Sequence, residues 1–171
     1  MTKITLEESQ AERGAHHRLA LMVGDWEGTT KVWFRPDELA DESPCHGTIR
    51  LALGGRFVIH EYEGTLQGKP ISGLYILGAH LDEARYQQAW IDTFHMGTGI
   101  LFSLGDEGST SGDFRVLGSY GDGEGHRWGW RTVVTIPGSD QLIITHYNIP
   151  PEIGEIKAVE TVYHRRPRPQ G

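Results

Sequence analysis

The sequence predicts an all-β protein: a single closed antiparallel up-and-down barrel, lipocalin-like, of roughly ten strands, with a short N-terminal helix covering one end. Three observations predict it. Glycine supplies 23 of 171 residues, nearly twice the ordinary usage of about 7%, and the glycines separate short apolar runs as repeated tight turns would. Turn signals recur at roughly 8–12-residue spacing. Beyond Gly24 no segment has helical periodicity long enough for a crossover, which excludes parallel α/β folds. A meander of this kind either keeps two open edges or closes, and closure removes the edges.

Taken in order, Thr5-Leu6-Glu7-Glu8 fits a capping box, so a helix starts there and Gly14 breaks or bends it. His16, Leu19 and Met22 then share a helical face leading to Gly24. The chain is organised around Gly24-Asp25-Trp26-Glu27-Gly28. A tryptophan between glycines there can lie across the end of a barrel and seal the core, because the glycines let the backbone turn and approach the ring. Strands follow over Thr29–Phe34, Gly47–Leu53, Arg56–Leu66, Ile71–His80 and Arg85–Thr93. Further strands are expected over Thr98–Leu104, Phe114–Tyr120, Arg127–Ile136, Gln141–Asn148 and Ile156–Arg165. Pro36 to Pro44 reads as an acidic, mobile loop. Gly54-Gly55, Gly105–Gly108, Gly121-Asp122-Gly123 and Pro137–Asp140 are turns. The expected organisation is one barrel domain over 1–166 and a disordered tail over 167–171.

The formal charge is −7, with 23 acidic against 16 basic residues. That balance argues against nucleic-acid and anionic-membrane partners, which favour basic patches. The one cysteine, Cys45, cannot form an internal disulfide, and its acidic, proline-bounded setting disfavours a reactive thiolate. The first ten residues hold no apolar signal-peptide core, and no apolar run approaches the roughly 20 residues that span a bilayer. The expected location is cytoplasmic, and a homodimer is left open.

An ordered set of short motifs runs from His16 to Arg166. It comprises His16-x-x-Leu19 before Gly24-Asp25-Trp26-Glu27-Gly28, Leu53-Gly54-Gly55-Arg56-Phe57 and Glu61-Tyr62-Glu63-Gly64. Trp90-Ile91-Asp92 with Met96-Gly97-Thr98-Gly99-Ile100, Arg131, and Glu160-Thr161-Val162-Tyr163 complete it. The set resembles the bacterial domain-of-unknown-function family fifteen seventy-nine of lipocalin-like, calycin-type barrels. The chain departs from that pattern at Phe94-His95 and at the proline-rich Asn148-Ile149-Pro150-Pro151. The resemblance implies the barrel fold and names no reaction. It also implies closure by an arginine stacked over the first-strand tryptophan, a place that Arg165 (or Arg166) matches beside Gly24 and Trp26.

Strand alternation puts Trp90 and Asp92 on one face. Pointing inward, Asp92 would be a carboxylate in a partly dry space, paired with Arg131 or Arg56, and able to anchor a polar group or act as a general acid/base. Pointing into a turn, it would accept backbone N–H groups around Thr93 and Gly97, the commoner role of such an aspartate. Parity over Phe57–Tyr62 is open, so either Glu61 or His60 faces the interior. Trp128 and Trp130 share a face and can line a flat apolar site or fill a core. A barrel could bring His60, His95 and His146 together from distant parts of the sequence, but no H-E-x-x-H or Cys-His spacing occurs. No metal and no resident cofactor are therefore expected; a haem held by one histidine, as in related calycin barrels, is the alternative. The function these residues favour is binding of a small hydrophobic or amphipathic molecule inside the barrel. The alternatives are an enzyme using Asp92 or Glu61 on such a ligand, and a filled barrel acting through the loops at Pro36–Pro44 and Asn148–Pro151.

Overall fold

A computed structural model describes residues 3–167; of the tail expected at 167–171, all but Pro167 lies outside the described residues. The N-terminal segment forms two short helices, α1 (Leu6–Gln10) and α2 (Ala15–Leu21). The capping box is present: the Thr5 hydroxyl accepts from the Glu8 N–H, and the Glu8 carboxylate accepts from the Thr5 N–H. Gly14 separates the helices, since a Cβ there would collide with the Ser9 carbonyl. The Ser9 hydroxyl is 2.8 Å from His16 Nδ1 and ties the pair together.

Ten strands follow: β1 (Gly24–Arg35), β2 (Glu38–Ala52), β3 (Phe57–Leu66), β4 (Lys69–His80), β5 (Arg85–Asp92), β6 (Leu101–Leu104), β7 (Phe114–Gly121), β8 (Arg127–Gly138), β9 (Gln141–Ile149) and β10 (Ile156–Arg165). Each pairs antiparallel with its chain neighbour, and β1 also pairs with β10, closing the barrel. No helix among the described residues is long and apolar enough to cross a membrane.

Two expectations need correction. The segment Pro36–Pro44 is not a mobile loop: Pro36 and Asp37 alone make a tight turn, Asp37 at φ 59°, and β2 begins at Glu38. Pairing overrides the loop-like composition here. Lys31 stands opposite Glu42 and Thr29 opposite Pro44, and the Asp41 carboxylate accepts from the distant Gln67 N–H at 3.0 Å. The other correction is β6, which begins at Leu101 instead of Thr98. Gly97 at φ 59° and a 2.8 Å bond from the Gly99 N–H to the Met96 carbonyl turn the chain before it.

Trp26 is completely buried at one end of the barrel. Its indole N–H donates to the Met22 carbonyl at 2.9 Å, and its ring stacks on Tyr163 at 6.3 Å. The Arg165 guanidinium lies 4.3 Å from the ring centroid. It donates to the Val23 and Ser139 carbonyls at 2.6 and 2.8 Å, so one side chain joins α2, β1 and the β8–β9 turn. Gly24, at φ 154°, leaves room for it: a Cβ there would collide with Arg165 Nη1.

Candidate functional site

Interior positions alternate with exterior ones, and the alternation settles which faces meet. On β3, Val58 and His60 are buried and Tyr62 partly so, whereas Phe57 and Glu61 are exposed. Facing strands contribute Tyr75, Gln88, Trp90, Trp130, Thr132, His146 and Tyr163, all buried. Their rings form a nearly parallel stack. Tyr75 lies 5.5 Å from Trp90 at an interplanar angle of 7°, and Trp90 lies 5.5 Å from Trp130 at 14°. His146 stacks on Trp90 at 5.7 Å and 9°.

The polar edges of these rings are largely paired with one another. The Trp90 indole N–H donates to the Tyr62 hydroxyl at 3.1 Å. His60 Nε2 is 3.1 Å from the Tyr163 hydroxyl. His146 uses both nitrogens, Nε2 at 3.2 Å from the Tyr75 hydroxyl and Nδ1 at 3.1 Å from Thr132 Oγ1. Trp130 Nε1, Gln88 Oε1 and Ser103 Oγ are buried without a partner among the described residues. Burial pushes His60 and His146 down to about 3, His146 with help from the neighbouring His95 and His60, so both imidazoles are neutral at ordinary pH. Burial, with the Asp92 charge adding, pushes the Tyr62 and Tyr75 hydroxyls upward.

Asp92, at the end of β5, has a fully buried side chain with its two oxygens in separate roles. Oδ1 accepts from the backbone N–H groups of Phe94 (3.2 Å), His95 (2.7 Å) and Met96 (3.0 Å). Oδ2 is 2.5 Å from His95 Nδ1. Burial raises the Asp92 pKa, but the hydrogen bond and charge of His95 and the backbone donors outweigh it, and the net shift is downward. The His95 ring packs against both Trp90 and Trp130, at 5.2 and 5.6 Å.

The free space inside is a cleft of about 60 Å³, lined by His60, Tyr62, Tyr75, Trp90, His95 and Trp130 among others, with exposed Glu63 and Thr65 on its border. That is well under the roughly 300 Å³ at which small-molecule pockets usually begin. A wider, open groove of about 580 Å³ runs along the outside of β3–β5, lined by Thr48, Glu61, Leu74, Ile91 and Gly97–Gly99. Tyr62 and Glu63 line both spaces.

The structure thus brings Trp90, Asp92, Trp130, His60, His95 and His146 together, and leaves four other candidates apart. Glu61 points outward into the open groove. Arg131 is not a partner of Asp92: it stands on the outer face of β8 and pairs with Glu155. Arg56 donates to the Leu53 carbonyl at 3.0 Å. Trp128 packs beside Tyr120 at 6.3 Å and does not line the cleft. Cys45 is not in a loop but buried in β2, where burial raises its thiol pKa.

The three interior histidines do not converge as metal ligands. Among the described residues, the trio with ligand atoms within 4.8 Å of one another is Asp122, Glu124 and His126, all exposed. There the Asp122 carboxylate fastens the β7–β8 turn by accepting from the Glu124 and His126 N–H groups. Haem does not fit these residues. His60 Nε2 and both His146 nitrogens are taken by Tyr163, Tyr75 and Thr132, and a cleft of about 60 Å³, which His95 also lines, has no room for a porphyrin. Sequence reasoning missed Tyr75 and Tyr163 as lining and Gln88 and Thr132 as buried polar neighbours, and left Tyr62 undecided. Their signal was available in part, since Tyr62 shares the parity of His60, and Tyr75 that of Gly73 and Leu77.

The barrel is similar to that of an S-type phycobiliprotein lyase, CPES, from Guillardia theta, at 12% identity and a TM-score of 0.58, covering 96% of this chain and 99% of that one. It is also similar to a de novo designed fluorescence-activating beta barrel, at 11% identity and a TM-score of 0.44, covering 86% of this chain and 96% of that one. No curated protein matches. The model of the family described as "Protein of unknown function (DUF1579)" matches residues 11–165, and the chain belongs to that family.

Proposed function

We propose that the chain is a carrier or sensor that binds a small, flat, partly hydrophobic molecule at the aromatic cleft of the barrel. The observation that carries this reading is the near-parallel stack Tyr75–Trp90–Trp130–His146 bordering a cleft open on one side. A flat ligand edge or face meets ring surfaces there, at roughly 0.5–1.5 kcal/mol per aromatic contact beyond area burial. The buried Trp130 indole N–H without an acceptor is a donor that a ligand heteroatom can satisfy. On this reading one ring of the ligand enters at the open side of the cleft, beside Glu63 and Thr65.

Intrinsic tryptophan fluorescence tests this against fatty acids, flavins, retinoid-like compounds, haem and one-ring phenols and indoles. Saturable quenching by a flat compound, weakened in Trp130→Phe, is expected. If no compound alters either the emission or the denaturation midpoint, the barrel is filled and the reading fails.

A further inference from the structure

We infer that His95, oriented by Asp92, is the polar recognition group of the cleft and selects ligands that bear a hydrogen-bond donor, a phenolic O–H or a heterocyclic N–H. The inference rests on the binding reading above and names the ligand chemistry. The Asp92 carboxylate faces Nδ1, so the tautomer of the neutral imidazole that fits it carries its proton on Nδ1 and leaves Nε2 as an acceptor. Among the described residues Nε2 has no hydrogen-bond partner, while the nitrogens that His60 and His146 direct at neighbours are occupied. His95 also lines the cleft and keeps 22% of its side chain exposed, so a ligand can reach it. Fastening the 93–96 turn does not require the imidazole. All three backbone N–H groups go to Oδ1, and Oδ2 serves the ring alone.

Calorimetric titration with two matched pairs, phenol against anisole and indole against 1-methylindole, tests this. The wild type should prefer the donor of each pair roughly tenfold, the worth of one net hydrogen bond. His95→Phe should bind both members equally while keeping its circular dichroism. Asp92→Asn turns the Nδ1 partner into a donor and moves the ring proton to Nε2, so the preference for the donor of each pair should vanish, the phenol oxygen accepting from Nε2–H as well as the anisole oxygen does. Equal binding of both members by the wild type overturns the inference and leaves the binding reading standing. Binding of none of the four compounds overturns both.

The outer face of β3–β7 points separately to a second copy of the chain as partner. Phe57, Ile76, Ile91, Phe102, Leu104 and Leu117 are exposed there, Phe102 by 69%. Cross-strand register makes them contiguous: Ile76 is opposite Ala89, Ala89 opposite Phe102, and Leu104 opposite Leu117. No outward position of β4 from Leu74 to Gly78, of β5 from Gln87 to Ile91, or of β6 carries a charge. At about 150–200 Å² per fully exposed large side chain these six offer roughly 400–550 Å². As the apolar part of a homodimer interface, about 65% of it, that becomes about 600–850 Å² per copy, the size of a standard interface. An uncharged face is self-complementary. A two-fold axis along the strands lays β3, with its exposed Glu61, over the β7–β8 side that carries the exposed Arg127, which donates to Ser119 and meets no carboxylate among the described residues.

Sedimentation velocity at micromolar concentration should give the mass of two chains for the wild type and one for Phe102→Lys, with unchanged circular dichroism. A wild-type mass of one chain overturns the proposal. So does a two-chain mass that survives both Phe102→Lys and Ile76→Lys, or a wild type that floats with neutral lipid vesicles as monomer.

Discussion

Lowering the pH from 7 to 5 should destabilise the barrel through its two innermost histidines. Their folded pKa values lie at about 3, against about 6.5 in an unfolded chain. Between those values the unfolded state holds a proton that the folded state refuses, so stability is complete above 6.5 and falls as the pH drops toward 3. Each pH unit in that window costs about 1.4 kcal/mol per histidine, which makes about 2 kcal/mol for each by pH 5 and about 4 for both. Against a typical total of about 5–15 kcal/mol this is a large share. Urea denaturation at both pH values measures it. His60→Gln, whose amide can still reach the Tyr163 hydroxyl, should lose about half as much between the two as the wild type. Equal pH losses in wild type and variant would refute the assignment of His60 as a buried neutral imidazole.

Arg165→Met removes the ring contact with Trp26 and the bonds to Val23 and Ser139, and should cost about 2–4 kcal/mol in chemical denaturation. Arg165→Lys should recover only part, because an ammonium cannot fork between carbonyls. Gly28→Ala should cost about 2–3 kcal/mol or more, since its Cβ would collide with the Val162 backbone carbonyl, whereas Gly112→Ala meets nothing within 4 Å and should leave the thermal midpoint unchanged. Arg131→Ala breaks an outer-face ion pair with Glu155; it should change stability by about 1 kcal/mol or less and leave tryptophan quenching by any cleft ligand unaltered.

From β3 onward the strands, the start of β6 apart, were legible because they are bounded by turn residues whose chemistry is local: Gly54-Gly55, Gly68, Asp82-Glu83 and Ser139-Asp140 sit between them. The β1–β2 hairpin was not, since what holds Glu38–Pro44 extended is its pairing with β1 and the bond that Asp41 accepts from the N–H of Gln67, in the turn after the neighbouring strand β3. Parity at Phe57–Tyr62 was closed to sequence reasoning because both faces are equally apolar. It is decided by Tyr163, whose hydroxyl meets His60 across the interior over Gly47, where a Cβ would come within 2.6 Å of that hydroxyl and 2.7 Å of the imidazole. Alternation alone already opposed Arg131 to Trp130, and the outer-face pairing with Glu155 follows from it. Trp128 shows the limit of the same rule: it shares a face with Trp130, yet the strand has passed beyond the cleft by that position. Asp92 and His95 are three residues apart, yet sequence reasoning paired Asp92 with Arg131 or Arg56, because what draws His95 inward is its packing against Trp90 on β5 and Trp130 on β8.

The pairing of Trp26 with Arg165 across β1 and β10 also bears on how the cylinder is sealed. Every other seam joins strands adjacent in the chain, so this one closes the longest loop and forms against the greatest entropic opposition. Until it forms, two unpaired strand margins invite the corresponding strands of another molecule, the route to exchanged or tangled oligomers. A guanidinium that grips the helix end, the first strand and a distant turn at once rewards only the intramolecular closure, and so acts as a latch against mispairing.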